Sequence, residues 1–236
     1  MKIVISQPMF FPWVGFFEQI RLADMYVHYD DVQFSKGSFV NRVQIKHTEG
    51  SKWLTVPLDN LQLGQEIREV TVKQKKDWCI RHINFLSQVY AKAPYSQEML
   101  ALVESVYSQP ATTIAEVAIA SMNLVCQYFE IGKPDNFLYS SKLNIPGKGS
   151  QRVLEIVKYL NGDIYITGHG ARKYLNHNLF EEHGVRVEYM NYQKKTYPQL
   201  YGEFTPYVSI LDLIANMGKA GRKIITSETI NWKEFI

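Results

Sequence analysis

The sequence predicts an α/β fold, and three observations carry that prediction. Short β-branched runs, Ile3-Val4-Ile5 near the start and Asp163 to Thr167 late in the chain, stand just before turns containing proline or glycine. Each turn leads into a segment whose apolar residues recur at helical spacing. The same strand, turn and helix order appears at both ends of the 236-residue chain, and that order builds a parallel sheet covered by helices.

At the N-terminus, the loop Gln7 to Trp13 is stiffened by Pro8 and Pro12. Phe16, Phe17, Ile20 and Leu22 then mark a helix with one apolar face, and Met25 to Val32 a second strand, which completes a βαβ unit. Phe39 to Lys46 alternates with period two, and Trp53 to Leu58 returns after the turn Thr48-Glu49-Gly50-Ser51. This is a hairpin with a basic side, expected to add to the sheet. Ile67 to Val72 is a further strand candidate. Residues 78–131 read as packing helices inserted in a single α/β domain spanning 1–236. The capping-box pattern Thr113-Ile114-Ala115-Glu116 opens the most apolar of them. The α/β pattern then resumes. Ser150 caps a helix carrying Val153, Leu154, Val157 and Leu160, and a tight turn Gly168-His169-Gly170 follows the strand at 163–167, with Ala171 starting another helix. Val185, Val187 and Tyr189 alternate as a strand, and Ser209 caps a last core helix closed by Gly218. These elements predict a Rossmann-like three-layer core with an added hairpin and a helical middle.

Composition narrows the function. Net charge is +3 with 21% charged residues, so charge is mixed and lacks the dense basic stripe of a non-specific nucleic-acid binder. Cys79 and Cys126 are isolated among apolar residues and suit buried thiols in a reducing compartment. The apolar N-terminus is broken by Pro8, Pro12 and Gly15, unlike a signal peptide, and no run is long enough to cross a bilayer. A cytoplasmic location is expected. There is no metal-ligand spacing, HExxH or CxxC, and no order of serine, histidine and aspartate that suggests a triad.

Five constellations carry chemistry. The stretch Gln7 to Phe16 lies between the first strand and the first helix, where α/β sheets bind ligands; Gly15 suits close backbone approach, Trp13 suits stacking, and Gln7 offers an amide. Its alternative reading is an aromatic turn that fills the core. Asp31 and Gln33, in Asp30-Asp31-Val32-Gln33, end the second strand, where a carboxylate suits a sugar hydroxyl, an amine or a hydrated Mg²⁺, or forms a solvated strand end. Asn41, Arg42 and Lys46 stand on the hairpin; Arg42 and Lys46 are four residues apart on one strand face, roughly 13 Å, and suit an extended diphosphate or an exposed basic face. Lys148, Ser150 and Arg152 surround a glycine at a helix start, an anion nest or an ordinary cap. Gly168, His169, Gly170 and Arg172 form a second such cradle. His169 is the candidate general base, because imidazole is the side chain suited to proton transfer near neutral pH, with Asp31 as a second candidate for that role.

The first constellation also resembles the proline-rich turn of nucleotidyltransferases, which ends in His-x-Gly-His. Here Pro12-Trp13-Val14-Gly15-Phe16 lacks both histidines, so the resemblance implies a shared layout and not that phosphate chemistry.

Together the segments resemble the WbqC-like family. The resemblance rests on Gln7-Pro8, Phe11 to Phe17, Asp30 to Phe34, Asn41-Arg42, Trp53 to Pro57, Tyr165 to Gly168, Tyr197-Pro198-Gln199 and Ser209 to Leu213 with Asn216 and Gly218. It covers the chain apart from the helical middle. It implies a transferase of bacterial O-antigen, lipopolysaccharide or capsule biosynthesis that adds an aminoacyl group, such as glycyl, to a nucleotide-linked amino sugar. The expected partner is a nucleotide or nucleotide-sugar. An ATP-dependent activating enzyme and a non-catalytic nucleotide-sugar binding protein are the competing readings.

Overall fold

The computed structural model describes residues 1–132 and 134–235. Ile3-Val4-Ile5 lies within β1 (Lys2–Ser6), buried on both sides as a central strand requires. The proline loop leads to α1 (Val14–Leu22) and β2 (Met25–His28), the expected βαβ unit. The hairpin follows as β3 (Arg42–His47) and β4 (Gly50–Thr55). Three helices come next: α2 (Lys75–Val89), α3 (Ser96–Ser108) and α4 (Ile114–Phe129). Thr113 caps α4 through the expected capping box with Glu116. β5 (Phe137–Tyr139), α5 (Ser140–Leu143) and α6 (Gly149–Tyr159) then bring the chain to β6 (Ile164–Thr167). The remainder is α7 (His177–Glu182), β7 (Arg186–Asn191), α8 (Ile210–Met217), β8 (Glu228–Asn231) and α9 (Trp232–Phe235).

The six-stranded sheet has the order β5-β2-β1-β6-β7-β8, parallel except for β8. The chain runs outward from β1 to β2 and β5, and α6 then returns it to the other side of β1. The strand order therefore reverses between β1 and β6, the switch point of a Rossmann-like sheet. One sheet face is covered by α1, the helical segment α2–α4, α8 and the hairpin; the other by α6, α7 and α9.

Three expectations need correction. The hairpin does not join the sheet: β3 and β4 pair only with each other, because Val43, Ile45 and Leu54 are committed to the helical core on one face. Ile67 to Val72 is not a strand but a 3-10 turn at Ile67–Glu69, followed by single bridges from Thr71 and Val72. Ser150 does not cap α6. The helix opens at Gly149, whose φ of 60° suits glycine, and the Ser150 hydroxyl accepts a 3.0 Å bond from the Asn176 amide. No described helix is long and apolar enough to cross a membrane.

Candidate functional site at the carboxyl ends of the strands

β1 and β6 are neighbours in register, Val4 opposite Ile166, so Gln7 and Gly168 leave the sheet side by side at the switch point. The two turns that the sequence singles out at opposite ends of the chain therefore meet. Gly168 packs close to the helix over β1: a Cβ there would lie 3.4 Å from the Gln19 amide oxygen. His169 is exposed, and its Nε2 donates a 2.6 Å hydrogen bond to the Met190 carbonyl, with the ring 4.7 Å from Phe235. Because a carbonyl only accepts, the neutral ring carries its proton on Nε2, and Nδ1 keeps a free lone pair. Gly170 and Arg172 are exposed in the same turn.

One strand further out, the ends of β2 and β5 carry a different arrangement. Arg152, in the first turn of α6, is buried and forms a 2.5 Å ion pair with Asp31. The guanidinium also donates to the Ile145 carbonyl and lies over the Tyr29 ring. Ser140 bridges the two acids, its one hydroxyl proton directed at Asp31, 2.5 Å away, and shared with Asp30 at 3.1 Å, while Ser141 holds Asp30 with both its amide and its hydroxyl. Burial pushes the Asp31 carboxyl up, but the Arg152 guanidinium and the Ser140 hydroxyl outweigh it and hold the group below its ordinary range. Asp31 is thus ionised and engaged. Lys148 stays exposed at the head of α6.

The loop residues and the hairpin residues are used differently. The Trp13 indole folds over Gly15, where a Cβ would meet it at 2.0 Å, and packs edge-on against Tyr192 and Tyr207. Gly15 thus makes room for Trp13. The Asn41 side chain is buried and donates to the Val56 carbonyl. Arg42 holds the Gly37 carbonyl and lies 4.2 Å over the half-exposed Trp53 ring. Lys46 is buried and donates to Gln199 and to the Glu203 carbonyl, close to Asp212. Gln33 is exposed beside Glu66. The hairpin side chains Asn41 and Lys46 tie the chain together, so they do not form one open face with Arg42.

Sequence reasoning passed over two features. Ser140 and Ser141 bind the acids at the end of β2, and no motif marks them. A cavity of about 340 Å³ opens beneath α4, lined by Asp30, Arg68, Asn123 and Tyr139 among others. The available signal was Asn123 in the middle of a mostly apolar helix, a position where a polar group needs a reason. A second cavity of about 360 Å³ is lined by Lys2, Arg21 and Leu22 with Thr226, Glu228 and Thr229, between the end of α1 and β8. Among the described residues no cluster of acidic, histidine or cysteine side chains has the makings of a metal site.

Residues 7–224 match the WbqC-like protein family. The chain is also similar to the uncharacterized protein Rv1507c of Mycobacterium tuberculosis, with 30% identity over 220 residues, 92% of this chain and 94% of the relative. No solved structure matches.

Proposed function

The chain belongs to the WbqC-like protein family, and on that premise we propose that it is a transferase of bacterial surface-polysaccharide biosynthesis that binds a nucleotide-linked amino sugar at the switch point. The observation that carries this reading is the reversal of strand order between β1 and β6, which sets the Gln7 loop beside the Gly168-His169-Gly170 turn at the carboxyl end of the sheet. Lys148, Arg172 and Lys173 are exposed cations near the two glycine turns, and Lys148 and Arg172 are suited to the ligand's phosphates. The chemistry is acyl transfer to the sugar amine. The ammonium gives a proton to the free Nδ1 of His169, and the neutral amine then attacks the carbonyl carbon of an activated aminoacyl donor. The C–N bond forms, the donor's leaving group departs with its electron pair, and the amide's extra proton passes to the departing group or to solvent, since His169 already holds the first.

A thermal-shift screen against nucleotides and nucleotide-sugars tests the binding half of this proposal, since a ligand at 100 times its Kd raises native-state stability by about 2.7 kcal/mol. Selective stabilisation by nucleotide-linked sugars is expected. No shift with any UDP-, dTDP- or GDP-sugar at millimolar concentration contradicts it.

A further inference from the structure

The cavity beneath α4 is separate from the glycine turns and has a chemistry of its own. Its volume, about 340 Å³, sits at the lower end of the range for small-molecule sites. Asp30 stands on one wall with both carboxylate oxygens oriented by Ser140 and Ser141, a fixed acceptor. Arg68 stands on another wall, its Nε held by Glu66 at 2.7 Å, which sets the direction of the rest of the guanidinium. Tyr139 and Pro110 supply flat apolar surface.

Two neighbouring side chains have hydrogen-bonding capacity that the described residues leave unused. Asn123 lines the cavity, and its Oδ1 has no partner. His28 is 1% exposed, and neither ring nitrogen has a partner; its ring lies 5.4 Å from that of Tyr139, on the cavity wall. Burial lowers its pKa to about 4, so the ring is neutral and offers one donor and one acceptor. Of the two, Asn123 is in the cavity lining, and a buried polar atom without a partner calls for one, which a ligand there can supply.

We propose that this cavity is a subsite for a polyhydroxylated ring, with hydroxyl or amino donors on Asp30 and Asn123, an acceptor on Arg68, and the C–H face of the ring against Tyr139. Carboxylate, amide and guanidinium around one aromatic face match such a ring better than they match a phosphate, which Asp30 repels. The inference rests on the nucleotide-sugar reading for the identity of the whole ligand. β2, whose end carries Asp30, is separated from β6 by β1 alone, two strand spacings or roughly 10 Å.

The experiment compares UDP, dTDP and GDP with the corresponding nucleotide-hexoses and nucleotide-aminohexoses by calorimetric titration of wild type, Asn123→Ala and Tyr139→Leu. Alanine is a strong helix former, so Asn123→Ala keeps α4 intact, and melting curves check both variants. The wild type is expected to prefer a nucleotide-sugar over its bare nucleotide. Each variant is expected to lose about three- to tenfold of that preference while binding the bare nucleotide unchanged. A preference that persists in both variants, or that is absent from wild type, overturns the subsite and leaves the nucleotide reading standing. Failure of every nucleotide and nucleotide-sugar to bind wild type overturns both.

Discussion

Two turns at the carboxyl end of the sheet look alike in sequence and end up differently. Each has glycine at a helical start and an arginine within the following turn: Gly149 with Arg152, and Gly170 with Arg172. In the first, Arg152 is buried and spent on Asp31, and Ser150 is spent on the Asn176 amide. In the second, Arg172 is exposed. What separates them is what the fold brings alongside. The end of β2 supplies an acid to Arg152 from 121 residues away in sequence, whereas the turn after β6 borders the open switch point. A motif of glycine and arginine therefore states an ability to bind an anion, and the neighbouring strand decides whether the anion is a ligand or the protein's own carboxylate.

The strongest way to break this comparison is Arg152→Ala. It strands the Asp31 carboxylate, and because the pair sits at the rim of the fold the loss falls between that of an exposed and a deeply buried ion pair, about 2–3 kcal/mol. Chemical denaturation is expected to show that loss in Arg152→Ala and a smaller loss in the double variant Arg152→Leu, Asp31→Leu, which leaves no charge stranded. Arg172→Ala is expected to change stability by less than about 0.5 kcal/mol. Equal losses in the two single variants contradict the distinction between the turns.

Acid pH sharpens it next. The Asp31 carboxyl lies below its ordinary range in the folded state, so its contribution is present above the unfolded pKa, near 4, and fades as pH falls through the folded value. His28 and His82 are both lowered to about 4 by burial, against an ordinary value of 6.5. Their contribution is present above pH 6.5 and is lost as pH falls toward and through 4. Asp212, pushed up to about 6 by burial, works in the opposite sense: its contribution is complete below pH 4 and lost as pH rises through 6. The histidines act together and outweigh it, so the melting temperature is expected to fall between pH 6.5 and 4. His28→Leu should make that slope shallower, and a slope unchanged in the variant rules out a titrating His28.

The comparison also shows what could be read from the sequence. β1, β2, β6 and β7 were legible because their apolar or alternating runs match a buried strand. β5 and β8 were not: β5 has only three residues, β8 (Glu-Thr-Ile-Asn) has a single apolar one, and both form by pairing with strands distant in sequence. Ile67 to Val72 looked like a strand because its apolar residues alternate, yet no continuous partner runs beside it. The turns at Gln7 and Gly168 were legible as strand-to-helix junctions, and their adjacency followed from the parallel order. The Asp31–Arg152 pair, the serines on the two acids and the cavity beneath α4 were not, because each depends on tertiary contacts between segments more than 90 residues apart or on open space, which leaves no local mark.

The smallest structural change in this set gives the most direct test. Arg172→Ala and Arg42→Ala differ in place: Arg172 borders the switch point, while Arg42 is held against Gly37 and Trp53 on the hairpin. Calorimetric titration of both variants with the nucleotide-sugar that most stabilises wild type measures whether the open turn holds phosphate. The account predicts about a tenfold loss of affinity, about 1.4 kcal/mol, for Arg172→Ala, and little change for Arg42→Ala. An Arg172→Ala variant that binds as tightly as wild type contradicts it.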